Sequence, residues 1–95
     1  MISADLLYAL REKDQELWIL YTNNDFVGEV SEAWLIYCLM QAIRARGWSY
    51  RLWNFGRVEA LISMPNPERT ISFKGDTEID VLLRAYLSAL GSPDF

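Results

Sequence analysis

The chain has 95 residues, with four tryptophans, five tyrosines, one cysteine and no histidine, and its net charge is −4. The absence of histidine removes the commonest general base and most zinc chemistry. The acidic balance disfavours binding to nucleic acid or to an anionic membrane. We therefore expect a single domain that binds rather than catalyses and that uses no cofactor or metal.

The composition also bears on where the protein works. No apolar run reaches the roughly 18 residues that a membrane helix needs. The first residues lack the basic start of a signal peptide, and the lone Cys38 gives no disulfide framework. The sequence therefore predicts a cytoplasmic protein away from the membrane, with residues 1–95 forming one domain that ends in a short tail at 91–95.

The N-terminal part contains one helix and one ambiguous segment. Ser3 precedes an amphipathic pattern with Asp5 in its first turn, which predicts a short helix at about 3–12. The run ELWILY at 16–21 suits either a strand or a further helical turn, and both interpretations stay open. The polar residues 22–25 indicate a loop.

A second helix is predicted at about 30–46. Gly47 follows it as a left-handed C-terminal residue, and two arginines in the last turn suit the helix dipole. Apolar side chains occupy two of its faces, and such a helix is buried on two faces. In so small a protein, this pattern indicates either the central helix or a subunit interface.

Alternating apolar and polar residues then predict three strands, at about 48–54, 57–64 and 70–74. Short connections favour an antiparallel meander, although Pro65 and Pro67 indicate a longer loop before the third strand. The apolar positions of the strands define an inner face made of Trp48, Tyr50, Leu52, Val58, Ala60, Ile62, Ile71 and Phe73.

The last predicted helix has clear signals at both ends. Thr77 followed by Asp80 resembles a capping box, and Gly91 ends the helix, which we place at about 77–90. We therefore predict an α+β fold in which the three-stranded antiparallel meander packs against this helix and the helix at about 30–46.

Several short pieces follow one another in a familiar order: Tyr21-Thr22, Ala33-Trp34, Gly47-Trp48-Ser49-Tyr50, Asp76-Thr77 and the run from Arg84 to Leu90. In this order, over about residues 21–90, the chain resembles the small phage proteins of the phage alpha-beta-alpha sandwich domain family. The last helix departs from that pattern, with Val81-Leu82-Leu83 where the family has a small residue and a cysteine. The resemblance implies a phage origin and a compact sandwich, and it implies no catalytic residues.

The first candidate site is the hairpin group Arg51, Trp53, Phe55 and Arg57. Aromatic planes and guanidinium groups stack bases and hold phosphates, so the group suits a nucleotide-type ligand or a partner. The alternative is packing, in which the first helix or a second subunit covers Trp53 and the arginines pair with Glu59 or with solvent.

The second candidate is the pair Trp34 and Tyr37 on the second helix, because aromatic side chains are enriched at interfaces. Burial between helices is the alternative. Cys38 lies in an apolar stretch that would raise its pKa, and no base is available to activate it. Acidic groups at two helix starts suit caps better than metal ligands.

We expect a small non-enzymatic protein-binding module. In the setting that the resemblance implies, it would be a phage accessory protein that inhibits or modulates a bacterial host protein, for instance as an anti-defence protein such as an anti-CRISPR. The alternative is a binder or sponge of a nucleotide-type signalling molecule. A homodimer through the second helix would compete with a partner for the same surface.

Overall fold

A computed structural model describes residues 2–65 and 68–91, so most of the predicted tail at 91–95 lies outside the described residues. Its four helices and three strands within these ranges form the predicted α+β fold. None of the described helices is both long enough and apolar enough to cross a bilayer. The elements are α1 Ala4–Lys13, α2 Gln15–Thr22, α3 Gly28–Ala45, β1 Ser49–Asn54, β2 Val58–Pro65, β3 Glu68–Gly75 and α4 Glu78–Ala89.

Asp14 separates α1 from α2 and makes the ambiguous segment at 16–21 helical. Its Oδ1 atom accepts a hydrogen bond of 3.1 Å from the backbone N–H of Leu17, which caps the first turn of α2. Its own backbone N–H donates to the carbonyl of Leu10 at 2.9 Å and closes α1. Ser3 stands at the N-cap position of α1, but its side chain makes no cap hydrogen bond.

The end of α3 is set by Gly47, as predicted. Gly47 has a φ of 77° and donates from its N–H to the carbonyl of Arg44 at 2.9 Å. The N–H of Trp48 donates to the carbonyl of Ile43 at 3.1 Å, which completes a Schellman motif. Because Trp48 belongs to this helix end, β1 begins one residue later than the predicted residue 48.

The sheet has the order β1-β2-β3, and both pairings are antiparallel. Its register confirms the predicted inner face. Ala60 on the central strand lies opposite Leu52 and Phe73, and Ile62 lies opposite Tyr50 and Ile71 in the same way. Both central residues have no exposed surface.

Pro65 does not start a loop, in contrast to the prediction. It is the last residue of β2 and pairs with Glu68, so β3 begins two residues before the predicted position 70. A proline at the end of a strand removes one ladder hydrogen bond only, which the hairpin tolerates. Residues 66–67 of the predicted loop lie outside the described residues.

The central helix is α4, so the helix at 30–46, for which either the central place or a subunit interface was expected, does not hold the central place. Thr77 caps α4 by accepting a hydrogen bond from the N–H of Asp80 at 3.2 Å. The helix contacts all three strands on one side, and α1 and α3 on the other. Its buried residues are Ile79, Val81, Leu82, Leu83, Ala85, Tyr86 and Leu87.

The outer face of the sheet is free of helices. Neither α1 nor α2 contacts a strand in the described part of the chain, so the expected cover from the first helix is absent. The layers are the sheet, then α4 with one end of α3, then α1 and α2. An alpha-beta-alpha sandwich has helices on both faces of its sheet, whereas these helices cover one face only.

Replacing Leu82 by alanine tests the central place of α4. Leu82 has no exposed surface, so we expect the cavity to lower the free energy of unfolding by about 2–5 kcal/mol. The control is Ile19→Ala on α2, where the side chain is 64% exposed and a change within about 0.5 kcal/mol is expected. Urea unfolding followed by circular dichroism measures both, and equal small losses would contradict the central position of α4.

Candidate functional site

The predicted hairpin residues lie at one end of the sheet. Arg51 and Trp53 belong to β1 and its outer face, while Phe55 and Arg57 stand in the turn that follows. Phe55 is 87% exposed, Trp53 is half-buried, and both arginines are exposed. The structure therefore presents all four residues on the first hairpin without a helix covering any of them.

Glu59 does not neutralise the arginines of this hairpin. Its carboxylate accepts a hydrogen bond from Ser72 Oγ at 3.2 Å and lies 3.9 Å from Lys74 Nζ, both on the neighbouring strand β3. Arg51 and Arg57 have no acidic partner within residues 2–65 and 68–91. Of the two expected alternatives for the arginines, pairing with Glu59 or exposure to solvent, the structure shows exposure to solvent.

The other predicted pair, Trp34 and Tyr37, lies on the outward side of α3. The two rings stack with centroids 5.5 Å apart and an interplanar angle of 18°. The ring of Phe26, from the loop before α3, meets Trp34 edge-on at 5.9 Å. The indole Nε1 of Trp34 donates to the backbone carbonyl of Leu20 at 3.4 Å, which ties α2 to the same surface.

These contacts define an exposed apolar surface, termed here the aromatic patch: Leu20, Phe26, Val30, Trp34 and Tyr37. Leu20, Phe26, Val30 and Tyr37 are about half exposed, from 45% for Leu20 to 58% for Val30, whereas Trp34 is partly buried and packs against the core. Contiguous apolar surface of this kind marks interaction sites on soluble proteins. The structure thus brings the predicted pair together and adds three residues from α2, the loop and α3.

The loop that carries Phe26 is held by side-chain hydrogen bonds. Asn24 donates from Nδ2 to the carbonyl of Tyr21 at 2.7 Å and accepts at Oδ1 from the N–H of Phe26, also at 2.7 Å. The hydroxyls of Tyr21 and Ser31 hydrogen-bond each other at 3.2 Å and link α2 to α3. The aromatic patch therefore rests on a braced backbone.

Three polar side chains form a second feature, termed here the polar cluster: Asp14, Arg46 and Tyr86. The Tyr86 hydroxyl donates to Asp14 Oδ2 at 2.5 Å, and Arg46 Nε donates to the same hydroxyl at 3.2 Å. Arg46 Nη2 lies 3.7 Å from Asp14 Oδ2. The polar cluster joins the junction of α1 and α2 to the end of α3 and to α4.

Aromatic rings complete the surroundings of Arg46. Its guanidinium carbon lies 5.3 Å from the ring centre of Trp48 and 5.9 Å from that of Tyr86. Burial of Tyr86, together with its hydrogen bond to the Asp14 carboxylate, raises the pKa of the phenol well above its ordinary value of 10.0. The hydroxyl therefore keeps its proton and acts as a fixed donor at neutral pH.

A cleft of about 330 Å³ opens between α2 and α3, with the polar cluster at one side. Leu17, Leu20 and Ala42 give it apolar walls, and the exposed residues Glu16 and Gln41 contribute polar lining. Leu20 belongs to both the cleft and the aromatic patch, so the two features adjoin. The volume lies at the lower end of the range of about 300–1,000 Å³ typical of small-molecule sites.

Among the described residues, Cys38 and the acidic group at the start of α4 have structural roles rather than chemical ones. Burial raises the pKa of the Cys38 thiol, as predicted, so its reactive thiolate is disfavoured. Asp80, in the acidic group at the start of α4, pairs with Arg84 at 3.0 Å. Within the described ranges, no three acidic or cysteine side chains are grouped to hold a metal ion.

Sequence reasoning missed the polar cluster and three members of the aromatic patch. One signal was available for Asp14, because an Asp followed by Glu16 and an apolar run is a helix-start pattern. No local pattern relates Asp14 to Tyr86, since the two residues are 72 positions apart. Phe26 precedes α3 in a loop, where periodicity carries no information about its neighbours.

Comparison of the chain with family models, curated proteins and solved structures finds no match. The resemblance to the phage alpha-beta-alpha sandwich domain family therefore stays a prediction. The function of this protein has to be inferred from its own surface geometry.

Replacing Tyr86 by phenylalanine tests the polar cluster. The ring keeps its packing, but Asp14 and Arg46 lose their shared partner inside the fold, so we expect a loss of about 1–3 kcal/mol in unfolding free energy. Tyr8→Phe is the matched control, because Tyr8 is 64% exposed and its loss should stay within about 0.5 kcal/mol. Indistinguishable unfolding curves for the two variants would contradict this role of Tyr86.

The same phenol predicts a dependence of stability on alkaline pH. Because the pKa of Tyr86 is raised in the folded state, the unfolded chain loses this proton first, near pH 10. The stabilisation is complete below that pH and declines as the pH rises toward the folded-state pKa, by at most about 1.4 kcal/mol per pH unit. Urea unfolding between pH 9 and 11 should show a steeper decline for wild type than for Tyr86→Phe, and parallel declines would contradict the raised pKa.

Proposed function

We propose that this chain is a small, non-enzymatic protein-binding module and that the aromatic patch is its contact surface. The observation that carries the proposal is the stacked pair Trp34 and Tyr37, in which the ring of Tyr37 is half open to solvent and lies against the partly buried ring of Trp34. Apolar side chains that stay exposed among the described residues leave area that a partner can bury.

The rigidity of the patch supports binding with a low entropic cost. Asn24 holds the loop on both sides, and Trp34 is anchored to Leu20 by its indole N–H. Aromatic side chains have only two side-chain torsions each, so little conformational freedom is lost when they are covered. Because the patch is already ordered before binding, less of the free energy of its contacts is offset by lost conformational entropy.

The size of the protein suits a role as an inhibitor or modulator. A standard interface covers about 800 Å² on each partner, an area that one side of so small a domain can supply. Taken with the resemblance to small phage proteins, we propose that the partner is a bacterial host protein, a defence protein among the candidates. This setting rests on the resemblance, whereas the binding surface rests on the exposed rings of α3.

Capture experiments with matched variants test the proposal. Tagged wild-type protein, Tyr37→Ser and Tyr8→Ser are incubated with bacterial lysate, and the retained proteins are identified by mass spectrometry. Both tyrosines are more than half exposed, at 51% and 64%, but only Tyr37 belongs to the aromatic patch. We expect the same partner with wild type and Tyr8→Ser, and a loss of at least about tenfold with Tyr37→Ser, as for an interface hot spot.

Two results would contradict the proposal. One is a partner retained equally by all three proteins, because the patch would then be irrelevant to binding. The other is retention of background proteins alone by wild type across lysates from several bacterial hosts. Circular dichroism and thermal melting of the variants confirm that a loss of binding is not a loss of folding.

A second candidate function is binding of a nucleotide-type signalling molecule at the first hairpin. The observation that favours it is the pair Arg51 and Arg57, whose charges have no acidic partner in the described ranges, beside the highly exposed Phe55. Guanidinium groups hold phosphates and an exposed ring stacks a base. The open, convex position of the hairpin suits a shallow contact rather than an enclosing pocket.

Thermal shift measurements with a panel of linear and cyclic nucleotides test this second function. A ligand at about 100 times its Kd should add about 2.7 kcal/mol of stability, which raises the melting temperature of a domain of this size by about 10–20 °C. Arg51→Ala should abolish the shift, whereas Arg11→Ala, an exposed arginine on α1, should keep it. An unchanged melting temperature with every nucleotide would exclude this function.

A further inference from the structure

The cleft between α2 and α3 is amphipathic. Leu17 is buried in its wall, and Leu20 and Ala42 add apolar surface on either side. Glu16 is exposed in its lining, in the first turn of α2. A cleft with apolar walls and an exposed carboxylate in its lining can accept a long side chain that has an aliphatic stem and a charged head.

The charges of the cleft favour a cationic head. Arg46 is the one basic residue in the lining, and its guanidinium already contacts Asp14, Tyr86 and the ring of Trp48. The Asp14 carboxylate already accepts hydrogen bonds from the Tyr86 hydroxyl and the Leu17 N–H and pairs with Arg46. Glu16 has no ion pair within the described residues. The charge in the cleft lining without an ion-pair partner among the described residues is therefore the negative charge of Glu16.

The segment that forms the cleft and the aromatic patch is acidic throughout. Between Lys13 and Arg44 the sequence contains no lysine or arginine. Arg44 lies in the last turn of α3, where it donates to the hydroxyl of Tyr50 at 3.3 Å. A partner seated on this surface meets acidic residues and, at one side of the cleft, Arg46, whose guanidinium already contacts Asp14 and Tyr86. The acidic residues of the segment are Asp14, Glu16, Asp25, Glu29 and Glu32.

We propose that the cleft receives a lysine or arginine side chain of the partner protein, whose apolar residues cover the aromatic patch. The aliphatic stem lies against Leu17, Leu20 and Ala42, and the cationic head pairs with Glu16. The continuity of cleft and patch through Leu20 lets one short segment of the partner occupy both. This inference rests on the proposed function, and it specifies the partner as a basic, apolar segment.

Charge complementarity favours such a partner over a second copy of this chain. A symmetric dimer sets the same surface of both subunits face to face. Here it would set the surface that carries Glu16 and Asp25 against its own copy, which between residues 14 and 43 offers no lysine or arginine to pair with them, and like charges across an interface oppose association. A foreign segment with lysine or arginine beside apolar residues meets no such repulsion.

Selection from a random peptide library tests the inference without knowledge of the natural partner. Displayed linear peptides of 12 residues are selected on wild-type protein, sequenced, and then measured as synthetic peptides on four variants. Glu16→Gln removes the charge, and Ala45→Leu narrows the cleft at an exposed lining position. Tyr37→Ser disrupts the patch, and Tyr8→Ser is the control outside it.

We expect the selected peptides to share a lysine or arginine close to apolar residues. Glu16→Gln should weaken them about fivefold, the effect of a partly exposed ion pair, and added salt should remove this difference. Ala45→Leu and Tyr37→Ser should also weaken binding, while Tyr8→Ser should not. Circular dichroism verifies that each variant is folded.

The remaining outcomes separate the two proposals. Peptides that need Tyr37 but lack basic residues, or bind Glu16→Gln and Ala45→Leu as well as wild type, overturn the cleft inference and leave the protein-binding function. Peptides indifferent to Tyr37, or no selected peptide at all, overturn both. Light scattering measures the oligomeric state of wild type and of Tyr37→Ser. A wild-type dimer that Tyr37→Ser dissociates would show that a second copy covers the aromatic patch, and this result also overturns the inference.

Discussion

The hydrogen bond between the Tyr86 hydroxyl and the Asp14 carboxylate joins the layer of α1 and α2 to α4. It links residues that are 72 positions apart, at a point where α1 and α2 have no contact with the sheet. The same carboxylate caps α2 and pairs with Arg46, so one side chain starts a helix and anchors it to α3 and α4. A largely buried carboxylate is tolerated because each of these groups satisfies it.

The exposed surfaces follow from this anchor. With Asp14 fixed, α2 lies against α3, the carbonyl of Leu20 meets the indole of Trp34, and the stacked rings of α3 are left facing solvent. The cleft opens beside the polar cluster, where the short side chain of Ala42 is part of its lining. The contacts of Asp14 that stabilise the fold thus also position the proposed binding surface. The residues proposed to touch a partner lie outside the polar cluster.

Much of the fold was predictable because its signals are local. Gly47 and Thr77 mark helix ends by backbone geometry and capping, and alternation placed Ala60 and Ile62 on the inner face of the sheet. The sequence pattern of α3 was misleading, since apolar residues on two faces suit either burial or an exposed interaction surface. Tyr37 is exposed rather than buried, with half of its surface in solvent.

By itself, the sequence determined the order of the elements other than α2, the antiparallel meander, the inner sheet face and the pair Trp34 and Tyr37 as candidate contact residues. The tertiary structure decided that α4 is central, that α2 is a helix, and that Asp14 meets Tyr86. The physical reason is the range of the interactions. Capping and side-chain periodicity act within a few residues, whereas the packing of distant side chains depends on how the whole chain folds back on itself.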